Sequence, residues 1–152
     1  MKYWLMKSEP DVFSIDDLAK KKKALWDGVR NYQARNYMTG EMQVGDEILF
    51  YHSSSEPPGV AGIAKVVAAA SPDPSQFDKK SEYYDAKATK AKPIWFGVTV
   101  GFVEKFPRLL ELPKLRSETA LASMLLLKKG MRLSIQPVTA QEFSHIRKLA
   151  GK

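Results

Sequence analysis

The chain has 152 residues, a net charge of +7 and a pI near 9.5, and 44% of it is hydrophobic, which allows a buried core at the size of one ordinary domain. It has no cysteine, so disulfides and thiolate metal sites are excluded, and the positive excess favours polyanionic partners, nucleic acid before an anionic membrane. The opening MKYWLMKSEPDVF lacks the apolar region of a signal peptide and no apolar run reaches bilayer length, so a soluble cytoplasmic protein, or a nuclear one in a eukaryote, is expected.

In chain order, YWLMK (3–7) predicts a short strand ended by Pro10. Ser14 and Asp17 form a capping box for a helix over IDDLAKKKKAL, with Lys20 to Lys23 near its C-terminal end, where positive charge suits the helix dipole. Asn31 predicts the N-cap of a second helix, YQARNYM, stopped by Gly40. DEILFYHS (46–53) alternates as a strand. SSSEPPG (53–59) is a loop, and VAGIAKVVAAA (60–70) a further strand with Gly62 marking a bulge or a close backbone approach.

Residues 71–92 form a long polar segment, a length that points to function or disorder. Phe77, Tyr83 and Tyr84 argue for order, the two tyrosines pinning the segment to the sheet. PIWFGVTVGFVEKFP (93–107) reads as a strand whose small residues Gly97 and Gly101 imply curvature or something packed close against it. TALASMLLLKKG (119–130) has helical spacing. MRLSIQPV (131–138) alternates, and Thr139 with Glu142 caps a last helix striped by Phe143, Ile146 and Leu149 or Ala150. Irregular alternation of strands and short helices predicts one α+β domain over residues 1–152, a small curved sheet or barrel with helices outside.

Catalytic signatures are missing. His52 and His145 are far apart, there is no HExxH or GxSxG, no phosphate loop, and the acids Glu9, Asp27, Asp46 and Glu47 form no motif. No cofactor and no metal are implied. What stands out is WDGVRNYQARNYM, residues 26–38. Aromatic faces stack on an unpaired base at roughly 1–3 kcal/mol each. Amides read its edge and arginines hold phosphate. Trp26 supplies the first function, Asn31 and Gln33 the second, Arg30 and Arg35 the third. Taken alone, the stretch is equally a tryptophan-led turn and a surface helix.

KSEP (7–10), WDGVRNYQARN (26–36), LFYHSSSEPPG (49–59), SPDPSQFD (71–78), SEYYD (81–85) and LSIQPV (133–138) occur in one order nearly end to end. In these blocks the chain resembles the EVE domain family. The resemblance implies a PUA-like fold, a small curved β-barrel of five or six strands with helices packed around it. It implies a pocket for one modified base, a modified cytosine in DNA or a modified base in RNA. It assigns Trp26 to a wall of the base cage and Lys7 and Ser8 to the strand end beside it. Asn31, Tyr32, Gln33 and Arg35 match the loop and helix start, with Arg30 beside them as the other candidate phosphate ligand. Tyr51, His52 and Ser53 match the opposite strand end, and Pro57 the loop after it. Lys79 and Ala86 stand where the family often has proline. The expectation is a non-catalytic nucleic-acid-binding reader of a modified base. The alternatives are a base-excising or strand-cleaving enzyme using Asp27 or His52, and a module whose aromatic cleft takes a peptide.

Overall fold

The computed structural model describes residues 1–151. β1 (Tyr3–Ser8) runs parallel to β3 (Glu47–His52), with Lys7 beside Tyr51 and Ser8 beside His52, and antiparallel to β6 (Ile135–Val138). β4 (Gly59–Pro72) joins β3 to the long β5 (Phe96–Glu111), and β2 (Lys23–Leu25) lies on the far edge of β5. The order β2-β5-β4-β3-β1-β6 makes one six-stranded mixed sheet. It is not closed, β2 and β6 being its edges, so of the small curved sheet or barrel expected the α+β domain forms the curved sheet, with helices packed around it. Register shifts at Phe50/Tyr51 in β3 and at four places along β4, one of them beside Gly62, bend it.

Alternation along the strands feeds two cores. Trp4, Met6, Ile48, Phe50, Val98 and Val100 point to one side, where α1 (Ile15–Lys21) and α2 (Tyr32–Gly40) pack. Leu5, Leu49, Tyr51, Val60 and Ile63 point to the other, covered by the short α3 (Leu112–Arg116) and by α4 (Ala140–Leu149). The capping boxes of Ser14 with Asp17 and of Thr139 with Glu142 are both formed, and Asn31 caps α2 by accepting from Ala34 N at 2.9 Å. Trp4 is core, its indole N–H donating to buried Asp46 at 3.0 Å. Among the described residues no helix is long and apolar enough to cross a membrane.

Two sequence expectations fail for a shared reason. The helix expected through Leu25 stops at Lys21. Lys22 takes φ +71 and its N–H closes the last turn on Leu18 O, and the next three residues pair with β5 instead. β5 makes room for them: a Cβ on Gly97 would lie 2.1 Å from the Trp26 carbonyl oxygen. The helix expected over 119–130 is two 3-10 turns, Thr119–Leu121 and Leu125–Leu127, which bury Leu121, Met124 and Leu126. That spacing is not helical. In both places contact with the sheet outweighs a propensity difference of under about 1 kcal/mol per residue.

The long polar segment is ordered by Gln76. Its buried amide donates to Asp73 O and Trp95 O at 2.8 and 2.7 Å and accepts from Ile94 N and Trp95 N at 3.0 and 2.8 Å. Trp95 is buried and donates its indole N–H to Asp85 at 2.9 Å. One side chain thus satisfies four backbone groups that burial would otherwise leave unpaired.

Candidate functional site

The ends of β1 and β2 and the loops after them enclose a cavity of about 810 Å³. Of the residues singled out in the sequence, Lys7, Ser8, Trp26, Arg30 and Ser53 line it. Trp26 N–H donates to Val98 O at 2.8 Å, which carries the β2 pairing one residue further and fixes the indole at the wall. The ring is 8% exposed and meets Phe50 edge-on at 5.5 Å, so it belongs to the core and to the cavity at once.

Behind the wall stands an acid that sequence reasoning missed. Asp73 is fully buried and accepts from Gly28 N at 2.8 Å, Arg30 Nη1 at 3.0 Å, and Ser75 N and Oγ at 2.8 and 2.6 Å. Burial alone would raise its pKa. The hydrogen bonds from Ser75, Gly28 and Arg30 outweigh that and hold the carboxyl below its usual value. Gly28 sits at φ +80 against the Tyr83 ring, so a side chain there would meet both strain and contact. Arg30 also donates to Val29 O, twice to Tyr83 O and to Ser75 Oγ, between the Tyr83 and Trp95 rings at 5.4 Å from each. All five of its N–H donors are engaged, so the guanidinium braces the cavity frame. Tyr83 both pins the long segment and lines the cavity, and the signal for it was its place in the SEYYD block.

The cavity keeps groups of both signs. Lys7 lies at the cavity edge with its Nζ 5.9 Å from the Tyr51 ring centroid, and burial lowers its pKa. Lys21 and Arg132 add positive charge at the mouth. Asp27, exposed at the same mouth, is raised by partial desolvation and then by the nearby Asp73 charge. Met131, Arg132 and Ser134 enter from the segment before β6; Ser134 falls in the LSIQPV block, and the long-range bond from Lys7 N–H to Ser134 O at 2.8 Å brings the segment to the cavity.

Seven of the expected residues lie elsewhere. Asn31 is the α2 cap. Tyr32 stacks on Trp95 at 4.8 Å and is 59% exposed. Gln33 is exposed and donates to Tyr37 Oη at 3.3 Å. Arg35 donates to Ile94 O at 3.0 Å and lies 4.8 Å from the Tyr32 ring, beside a second hollow of about 440 Å³ that it shares with Asn36, Met38 and Phe96. Tyr51 is buried in the opposite core. His52 accepts the Ile15 N–H at Nε2, 3.1 Å, so it satisfies a free donor at the start of α1, and burial lowers its pKa. Pro57 is exposed in the loop before β4, its carbonyl accepting from Ser55 Oγ at 3.3 Å. Among the described residues no three His, Cys, Asp or Glu side chains come together as a metal site requires.

Comparison with known proteins adds the following. A family model described as the EVE domain matches residues 2–149. The chain is 41% identical to human thymocyte nuclear protein 1 over 169 residues, an alignment that covers 99% of this chain and 74% of that protein. A crystal structure of a protein from Pseudomonas syringae superposes with a TM-score of 0.93 at 52% identity, covering 97% of this chain and 99% of that one. A crystal structure of the human THYN1 protein in complex with 5-methylcytosine-containing DNA superposes with a TM-score of 0.92 at 41% identity, covering 100% of this chain and 99% of that one.

Proposed function

The chain belongs to the EVE domain family, and from that premise we propose that it is a non-catalytic DNA-binding reader that takes one modified cytosine, 5-methylcytosine first, into the cavity against Trp26. The observation that carries the reading is the cavity itself. Its size falls within the roughly 300–1,000 Å³ of small-molecule sites, ample for one extruded base. An indole forms its wall and lysine and arginine side chains surround its mouth. The human relative whose structure contains 5-methylcytosine DNA supplies the ligand class.

Each part has a physical role. An extruded base loses stacking in the duplex and regains some of it on Trp26. A methyl group displaces no polar contact if the wall it meets is apolar, and Phe13, Leu25 and Val29 contribute such surface. Lys7, Lys21 and Arg132 provide charge for the flanking phosphates. The non-catalytic part of the proposal is supported by His52, whose Nε2 is already occupied by the Ile15 N–H, and by Arg30 and Asp73, which hold one another inside the frame. The test is equilibrium binding to duplexes identical except for a single cytosine or 5-methylcytosine. Tighter binding of the methylated duplex with intact strands and bases after incubation supports the reading. Equal affinities, or release of a base or a strand break, would overturn it.

A further inference from the structure

Two carboxylates near the indole wall are in contrasting states, Asp73 buried behind it and Asp27 at the cavity mouth. Asp73 is saturated by four donors from Gly28, Arg30 and Ser75. Asp27, one residue beyond the indole wall, has only its own backbone N–H as a hydrogen-bond donor, with no side-chain hydrogen bond or ion pair to it among the described residues. Its charged neighbours are Asp73, Arg30 and Lys21; Arg30 is already engaged, and Lys21 lies beyond ion-pair distance. The Ser53 hydroxyl, which lines the same cavity, has no hydrogen-bonded partner among the described residues. The cavity therefore holds an unused acceptor beside its stacking wall and an unused hydroxyl.

Cytosine presents a matching edge. Its N4 amine donates and its N3 and O2 accept, whereas thymine has the acceptor O4 in place of the amine. Resting on the reading above, we infer that Asp27 is the specificity-determining residue of the site: its carboxylate accepts from the exocyclic amine, so the cavity takes 5-methylcytosine and rejects thymine, which has the same 5-methyl group. Trp26 and its apolar neighbours sense ring and methyl, which the two bases share. The two bases differ only at positions 3 and 4, and a carboxylate facing position 4 accepts from the cytosine amine but sets acceptor against acceptor at thymine O4. The consequence is a reader that releases its mark when the base is hydrolytically deaminated, water replacing the amine with loss of ammonia.

The experiment measures binding to single-stranded oligonucleotides, where no base pair biases extrusion, with one central 5-methylcytosine, cytosine, thymine or 5-methylpyrimidin-2-one, the last lacking the amine. Wild-type protein is expected to prefer 5-methylcytosine over thymine by roughly tenfold to a hundredfold, the worth of a good base-edge contact, and to lose a similar factor on the amine-free base. Asp27→Asn offers either a donor or an acceptor and should narrow the thymine discrimination to a few-fold. Asp27→Ala should bind 5-methylcytosine and the amine-free base alike. Because Asp27 is exposed and braces nothing, both variants should melt near wild type. If either fails to fold, the wild-type comparison of 5-methylcytosine with the amine-free base still decides. Wild-type protein that prefers 5-methylcytosine over cytosine yet binds thymine equally, or Asp27→Asn that keeps full discrimination, overturns the role of Asp27 and leaves the reader standing. Wild-type protein indifferent between cytosine and 5-methylcytosine overturns the reader, and this inference with it.

Discussion

One uninterrupted stretch, Trp26 to Asn36, is divided by the fold into two regions of similar composition and different situation. Trp26 to Arg30 turns inward along the cavity, its backbone clamped by Val98 and Asp73. Asn31 to Asn36 begins α2, and its aromatic and cationic side chains gather outside, with Tyr32 on Trp95 and Arg35 over Tyr32. The divider is the Asn31 cap. Once α2 starts, successive side chains rotate by about 100°, and the residues that looked like one site are dealt to different sides. Aromatic and arginine content identifies surface able to stack, and the direction of the backbone decides which of it faces a cavity.

The comparison can be broken most forcefully at its inner half. Trp26→Ala should cost about 3–5 kcal/mol of stability, because the ring is core as well as wall, and it should remove preference for a modified base in whatever remains folded. Trp26→Phe separates the two roles: it should keep most of the stability and lose affinity. Chemical denaturation and binding curves on both proteins check this, and a Trp26→Ala protein that melts normally would show that the indole packs less than the geometry says.

Asp73→Asn should cost about 1–3 kcal/mol by leaving Arg30 or Gly28 with an unsatisfied donor, and it should loosen the loop that presents Trp26. Hydrogen exchange at Gly28 measures the loosening, and unchanged protection would remove Asp73 from the frame. At the outer half, Tyr32→Ala should change stability by about 0.5 kcal/mol or less, as exposed positions do. It should also leave the preference for a modified base intact, though total affinity can fall if the outer cluster touches flanking nucleotides. Loss of the preference in Tyr32→Ala would merge the two regions into one site.

The smallest effect is a pH dependence. His52 accepts from Ile15 only when neutral, and burial holds its folded pKa below the unfolded value of about 6.5. The unfolded chain therefore binds the proton first as pH falls. The contribution is complete above about pH 6.5 and is lost as pH drops through the folded value. Stability measured between pH 7.5 and 5 should decline in wild type and flatten in His52→Gln. The same decline in both would assign it to other groups.

Much of the fold was legible because local chemistry and tertiary structure agreed. Ser14 with Asp17, Asn31, and Thr139 with Glu142 cap helices where their spacing said they would, since a cap needs only three or four consecutive residues. The alternation of Ile48 and Phe50 against Leu49 and Tyr51 assigned each to its core, since a strand has two faces. That same alternation places Tyr51 away from Trp26, although the pattern of blocks along the chain had put both at one pocket.

What the sequence determined by itself was the class of fold, the family resemblance in its blocks, the caps, and the concentration of stacking and charged groups near Trp26. Only the tertiary structure decided that β2 displaces the end of α1, that Asp73 and Gln76 order the polar segment, that Arg132 and Ser134 reach the cavity, and that Arg35 and His52 do not line it. These are contacts between residues dozens of positions apart. Their energies depend on burial and on which donors remain unmatched, quantities that exist only once the chain has closed on itself.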